Sequence, residues 1–322
     1  MVYVPKIKKD IWAGYTPPKK DEIFSSWFFR LAQSHLLKSQ SFSHIVLEGY
    51  SLWNRDNDLY SQEFVTNILE KNTPLNLHQI NNLFLSSYEG SLFEKLNTKG
   101  FTVGIISLKM YHRKRKGNGM MYCPSCMKNN PYYRKHWRVF YSLACLDCGT
   151  ELNDHCPHCK NPIVFHRLEQ GFKSEINRSP MNFCSYCGYD ISLNPIKASI
   201  QCLKFQKKIN SYLKDGHTEY LGYSHLYFEM LYKISSLISR ESDLWGRLRK
   251  ACKQEFGDIP VINGKYFYLT TLQERKDILL LAFKLLDDLD LLIYLVKKYN
   301  IRLSELTKEK TIPFYYLEKL KF

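Results

Sequence analysis

The chain has 322 residues with Lys+Arg 46 against Asp+Glu 31, a formal net charge of +15, and 44% hydrophobic and 15% aromatic residues. That composition excludes a largely disordered chain, and the length points to two or three domains. The charge favours a polyanionic partner, nucleic acid before a membrane surface, because the basic residues run through the whole chain and not along one amphipathic anchor.

The first twenty residues, with Trp12, Gly14, Pro17 and Pro18 among lysines, read as an extended lead-in. Phe24, Trp27, Phe28, Leu31 and Leu36 then fall near helical spacing and predict a helix from Asp21 to about Lys38, with Asp21 or Ser25 available as its cap. A short helix is expected around Ser43 to Glu48, and another over Ser61 to Lys71 on Phe64, Ile68 and Leu69. Thr73-Pro74 breaks it, and Asn76 is placed to cap one more helix on Leu77, Ile80, Leu83 and Phe84. Helix, short break, helix is the helix-turn-helix outline, and it equally describes a small helical bundle.

A β-branched run from Phe101 to Leu108 suggests a strand or extended connector. It leads into the basic hinge His112 to Gly119, in which Arg113, Lys114, Arg115 and Lys116 are candidate phosphate contacts or else a solvated loop. Beyond Pro195 the chain turns mostly helical, with helices expected near Ala198 to Leu213, Ser224 to Ile238, Asp243 to Phe256 and Leu272 to Tyr299. An Asn-Gly hairpin signal lies between Val261 and Tyr266, and a short terminal helical pair is expected over 304–317.

The start, Met1 to Lys6, has no apolar core before a cleavage site. Ile278 to Val296, the most apolar stretch, is interrupted by Lys284, Asp287, Asp288 and Asp290, charges too costly for a membrane span. A cytoplasmic protein with no membrane partner is therefore expected, and in that compartment 10 cysteines are better explained by metal than by disulfides.

Eight of them form four Cys-x-x-Cys pairs: Cys123 with Cys126, Cys145 with Cys148, Cys156 with Cys159, and Cys184 with Cys187. Zinc takes four ligands tetrahedrally, and such a turn offers two sulfurs on one side of the ion, so four pairs supply two structural zinc ions. Gly149 and Gly188 follow the second and fourth pairs, where a left-handed backbone is often needed. Pairing in chain order leaves about 18 residues inside the first site and about 24 inside the second, while an interleaved cross-brace would use the same sulfurs with different loops. His155 and His158 flank the third pair as candidate substitute ligands, or as solvent-facing or supporting groups. Lone Cys202 and Cys252 read as small core residues. No zinc-hydrolase helix, deaminase signature, P-loop or nucleophile elbow is present, and Asp287, Asp288 and Asp290 sit in a helical context that reads as a solvated face before a metal-nuclease cluster. A non-enzymatic protein is expected.

The segment Asp21-Glu22-Ile23-Phe24-Ser25-Ser26-Trp27-Phe28-Phe29-Arg30-Leu31-Ala32, followed by Tyr122-Cys123-Pro124-Ser125-Cys126, Pro131-Tyr132-Tyr133-Arg134, Trp137, Cys145/Cys148 and Cys156-Pro157-His158-Cys159, resembles the TniQ/TnsD family of transposon target-selection proteins over about residues 17 to 190. Cys148 stands where the family often has histidine, a change that preserves a tetrahedral site. The resemblance implies an adaptor that marks the insertion site by binding DNA or a guide-RNA effector complex, recruits the transposon's AAA+ ATPase, and pairs with a second copy of itself. The alternative is a zinc-ribbon regulator of transcription. The expected architecture is mainly α with small β: an N-terminal helix-turn-helix-like domain (1–110), a double zinc-binding domain of tandem ribbons (111–195) and a C-terminal helical domain (196–322).

Overall fold

The computed structural model describes residues 10–111, 114–168, 180–241, 246–262, 266–307 and 312–320. It is mostly helical. The helices are α1 (Phe24–Ser34), α2 (Ser39–Val46), α3 (Glu63–Asn72), α4 (Leu77–Asn81), α5 (Pro124–Asn129), α6 (Ile200–Asp215), α7 (Ser224–Ser239), α8 (Arg247–Phe256), α9 (Leu272–Asp287), α10 (Leu289–Lys298), α11 (Leu303–Thr307) and α12 (Phe314–Leu320). Strands are minor: β1 (Met110–Tyr111) pairs antiparallel with β2 (Lys114–Arg115), and β3 (Ala144–Cys145) with β4 (Thr150–Glu151). Among the described residues no helix is long and apolar enough to cross a membrane.

Two compact units share the chain. The first takes residues 1–87, 108–138 and 153–195, and the second takes 88–107, 139–152 and 196–322.

In the first unit α1 is buried nearly all round, from Phe24 through Ala32: Phe24, Trp27, Phe28, Phe29 and Leu31 pack into the core, and the polar Ser25, Ser26 and Arg30 among them are held by carboxylates. Phe24 stacks on Phe84 with centroids 4.6 Å apart, and Phe28 meets Phe42 at 5.2 Å. Neither expected residue caps this helix. Asp21 sits before it in a left-handed turn, with φ 56°, and accepts from the His136 backbone N–H at 3.2 Å. Ser25 is inside the first turn, where its N–H and hydroxyl donate to the Asp58 carboxylate at 2.8 and 2.9 Å. Two further donors also go elsewhere in the unit, Ile23 to the Tyr133 carbonyl and Phe24 to the Leu83 carbonyl, both at 3.0 Å. A carboxylate brought from 33 positions away thus does the work of a local cap.

The helix stops at Ser34, short of Lys38, because Leu36 turns left-handed with φ 57°, and α2 then begins earlier than Ser43. Asn76 caps α4 as expected, in a reciprocal box with Gln79 at 2.9 and 3.0 Å. The second helix of the helix-break-helix outline is short, with five residues.

The second unit is built on α6 to α12. Buried Gln206 on α6 accepts from the Leu143 and Ala144 N–H groups at 2.7 and 3.2 Å, tying the β3–β4 hairpin to the helices. Two buried arginines satisfy carbonyls: Arg249 donates to Ile238 in the last turn of α7 and to Ile259, and Arg275 donates to Phe140 and Thr270. Cys202 and Cys252 are core residues at 0% exposure.

Two expectations change here. The run 101–108 forms no strand beyond a single bridge between Ile105 and Val139. Gly104 turns left-handed at φ +92°, and Leu92 presses to 2.7 Å of where a Cβ would stand. The helix expected over 272–299 divides at Asp288, whose side chain accepts the Leu291 N–H at 3.1 Å and starts α10 afresh. The Asn263-Gly264 hairpin turn lies outside the described residues.

Lys135 gives this packing a pH signature. Its ammonium donates to the Asn82 carbonyl, the Asn82 side chain and Ser87 at 2.7, 2.8 and 2.7 Å, using all three protons, and burial pulls it down to about 8. Between that value and the ordinary lysine range of about 10.4 the unfolded chain binds more protons than the folded one, so this group makes stability rise with pH across that window. Lys135→Met should lower stability at neutral pH, through the stranded acceptors, and remove the rise. Urea unfolding from pH 7.5 to 10 checks this, and an unchanged slope in the variant contradicts it.

Candidate metal centres and the buried ion network

Three of the four Cys-x-x-Cys turns fold alike. The residue after the second cysteine adopts a left-handed backbone and returns its N–H to the carbonyl of the first cysteine: Gly149 (φ 65°) to Cys145, Lys160 (φ 59°) to Cys156, and Gly188 (φ 71°) to Cys184, each at 2.9 Å. Glycine carries no Cβ penalty there, and no atom lies within 4 Å of a Cβ built on Gly149 or Gly188. The remaining turn enters a helix instead, with Cys123 as N-cap of α5, Pro124 at the first helical position, and the Cys123 sulfur accepting from the Cys126 N–H at 3.5 Å.

These turns assemble two tetrathiol clusters, Cys123, Cys126, Cys145 and Cys148 in one and Cys156, Cys159, Cys184 and Cys187 in the other, the sulfurs of each lying within 4.8 Å of one another. The grouping follows chain order and is not interleaved. Zn–S bonds of ~2.3 Å in a tetrahedron set sulfur–sulfur edges of ~3.8 Å. In the second cluster Cys156–Cys187 and Cys159–Cys184 are each 3.7 Å apart, so this donor set fits a zinc-sized ion. Burial pushes the Cys156 and Cys184 thiols up. At Cys159 burial is outweighed by hydrogen bonds from Asn161, and the thiol falls to about 6. A divalent cation resolves the conflict of four crowded sulfurs by taking all four as thiolates. The neighbouring histidines are engaged elsewhere: His155 contacts Asp154 at 2.7 Å, and His158 stacks on Tyr189 at 5.5 Å.

The basic run does not lie on one surface. Lys114 and Lys116 are exposed, Arg113 lies outside the described residues, and Arg115 is buried at 5% exposure with its guanidinium 5.9 Å from the Phe165 ring. Burial draws the Arg115 guanidinium down to about 10, still charged at neutral pH, with Asp58 and Asp56 opposing the shift. Its Nε and Nη1 have no hydrogen-bond partner among the described residues.

Sequence reasoning missed the network that Arg115 borders. Asp58, fully enclosed, holds Ser25 and receives Arg138 at 3.2 Å, while Arg138 reaches Asp56 at 2.7 Å. Burial works against ionisation of Asp58 and Arg138 works for it. A second centre surrounds Glu22, which accepts from Arg30 through both oxygens at 2.9 and 2.6 Å and from the Ser26 hydroxyl at 2.8 Å. Ser26 in turn accepts from the Tyr133 N–H at 3.0 Å. The available signal was the concentration of charge and hydroxyls in an otherwise apolar helix, a pattern that burial tolerates only when every group is paired.

A helical frame closed by buried ion pairs and carrying knuckle-like tetrathiol turns is the class these features define. Residues 15–152 match the TniQ family model, and this stretch of the chain is a TniQ-family domain. The match includes Glu22, Ser25, Ser26, Arg30 and the first tetrathiol cluster and ends before Cys156, so it is shorter than the reach of about 17 to 190 expected from the motifs. Proteins of this family are non-catalytic participants in target selection during transposition. No curated protein shows a significant match to the chain.

Lys160 offers a test of the shared turn. A non-glycine residue in the left-handed region costs about 1–2 kcal/mol, partly offset by the added freedom of an unfolded glycine. Lys160→Gly should therefore raise the melting temperature, with a gain of up to about 1 kcal/mol. A drop in melting temperature would show that the Lys160 side chain is required.

Proposed function

We propose that this protein is a target-selection adaptor in DNA transposition. It marks the insertion site by binding DNA, directly or as part of a guide-RNA effector complex, and recruits the transposon's AAA+ ATPase, with no strand chemistry of its own. The observation that carries this reading is the TniQ-family domain over residues 15–152. The net charge of +15 is in keeping with a nucleic-acid partner. In this reading the N-terminal region (1–110) and the cysteine-rich region (111–195) make the nucleic-acid contacts, and Arg113, Lys114 and Lys116 are the phosphate-facing members of the basic run. Arg115 serves packing. A second copy of the chain completes the adaptor as a homodimer.

Two structural zinc ions are part of the proposal, one held by Cys123, Cys126, Cys145 and Cys148 and the other by Cys156, Cys159, Cys184 and Cys187. All four positions of each ion are filled by protein sulfur, which leaves none for a reactant and suits a structural role. Cys123→Ser and Cys184→Ser should each lower bound zinc by about one ion per chain and destabilise the fold, because metal binding and folding are coupled. Elemental analysis of the purified variants decides this, and an undiminished zinc content in either would refute the ligand assignment.

The function is tested by sequencing the genes beside this one for an AAA+ ATPase and an integrase-type transposase and reconstituting insertion with them. With the adaptor present, insertions should cluster at one site, and without it they should scatter or cease. Insertions unchanged in number and position would end the reading. Replacing Arg113, Lys114 and Lys116 by alanine should flatten the dependence of log affinity for DNA on log salt by about one for each phosphate no longer neutralised. An unaltered slope would return the run to a solvated loop.

A further inference from the structure

In the second unit a cavity of about 350 Å³ opens among the C-terminal helices. Its walls are tyrosine rings: Tyr212, Tyr220, Tyr227, Tyr315 and Tyr316. Tyr220 and Tyr315 lie face to face, with centroids 4.9 Å apart and planes 4° from parallel, and Tyr212 meets Tyr227 edge-on at 4.9 Å. Tyr220 is 67% exposed, a large ring left at the rim. Tyr227 is the reverse case, 4% exposed, with a hydroxyl that has no hydrogen-bond partner among the described residues. A buried phenol ordinarily finds one, so this hydroxyl is a polar group still awaiting a partner. Of the ionisable groups around it, Tyr316, Tyr212 and Asp287 line the same cavity.

Carboxylates crowd the rim. Asp287 ends α9, Asp288 and Asp290 flank the start of α10, and Glu219 precedes α7; among the described residues the ammonium groups lining the cavity are those of Lys208 and Lys319. Lys208 is already paired with Asp287, and its ammonium lies 5.8 Å from the centre of the Tyr212 ring. Glu219 accepts from the Tyr212 hydroxyl at 2.5 Å, a bond that holds it ionised below the ordinary carboxylate range. Asp288 accepts the Leu291 N–H, and Asp290 makes no ion pair among the described residues. Among the described residues, four carboxylates against two ammonium groups leave this cavity acidic within a chain whose net charge is +15.

Tyrosine faces backed by carboxylates attract a cation and repel a phosphate, and the Lys208–Tyr212 contact already displays that chemistry inside the chain. A planar cation with several forked donors suits parallel rings and separated carboxylates better than a compact ammonium does. We propose that this cavity is a docking site for an arginine side chain of a partner polypeptide. Its guanidinium lies against the Tyr220–Tyr315 pair and is neutralised by Asp290 and Glu219, and its donors reach the Tyr227 hydroxyl. The site falls outside the matched residues 15–152 and stands independently of the transposition reading.

The test uses the full zinc-loaded chain and a capped heptapeptide of glycine and serine with one central arginine, compared with the same peptide carrying neutral citrulline. Calorimetric or NMR titration should show the arginine peptide binding at least about threefold more tightly than the citrulline peptide, as loss of a charge over a part-exposed aromatic pair implies. Tyr220→Ala and Asp290→Asn, both at exposed positions, should each weaken the arginine peptide by about three- to tenfold without moving the melting temperature. Equal affinity for the two peptides, absence of binding, or indifference to both substitutions would overturn the proposal. So would a single-stranded oligonucleotide that binds in a Tyr220-dependent manner while the arginine peptide does not, since the rings would then be stacking bases.

Discussion

The first unit is organised around a single enclosed carboxylate. Asp58 supplies the missing acceptor for the N-terminus of α1 and the counter-charge for Arg138, so three stretches of chain far apart in sequence must meet at one point. Removing charges from water is expensive, and an enclosed pair is repaid only by good geometry and by further hydrogen bonds to its remaining lone pairs and protons. That demand explains why the neighbourhood is dense with hydroxyls and with a second acidic centre at Glu22, which orders Arg30 and Ser26. It also changes the meaning of the residues that carry the family likeness. Glu22, Ser25, Ser26 and Arg30 serve the interior of the domain.

The tetrathiol turns solve a different problem. Strands β3 and β4 have two residues each, too few to be stable alone, and the cysteine-rich stretches offer little regular structure to fix them. The repeated left-handed residue after the second cysteine shapes three of the four turns from within, through one returning hydrogen bond. With the proposed zinc bound, the metal supplies the cross-link that a larger hydrophobic core would otherwise provide.

Much of this was legible in the sequence because some signals are local and rigid. Cys-x-x-Cys spacing fixes ligand geometry with no reference to the rest of the fold, and the helical periodicity of Phe24, Trp27, Phe28 and Leu31 reports burial directly. Asn76 with Gln79 is a complete cap within four residues. The misreadings arise where distant groups decide. No local pattern reveals that Asp58 would cap α1, that Phe165 would draw Arg115 inward, or that Leu92 would press against Gly104 and break an extended run. Asp288 could be recognised as a helix former's solvated neighbour or as a cap, and only the chain's path selects the cap. The tyrosine cavity had no sequence signal at all, since its rings come from α6, α7, α12 and a loop.

The route of the backbone has a practical corollary. Because the chain passes back and forth between the units through residues 88–107 and 139–152, neither is an uninterrupted fragment that a single cut could liberate. Cloning that stops at residue 195 would strip Gln206 from the hairpin amides of Leu143 and Ala144 and Lys197 from its bridge to Thr150. Such a fragment would expose raw peptide edges and clump, so dissection of this protein belongs to point substitutions in the intact chain.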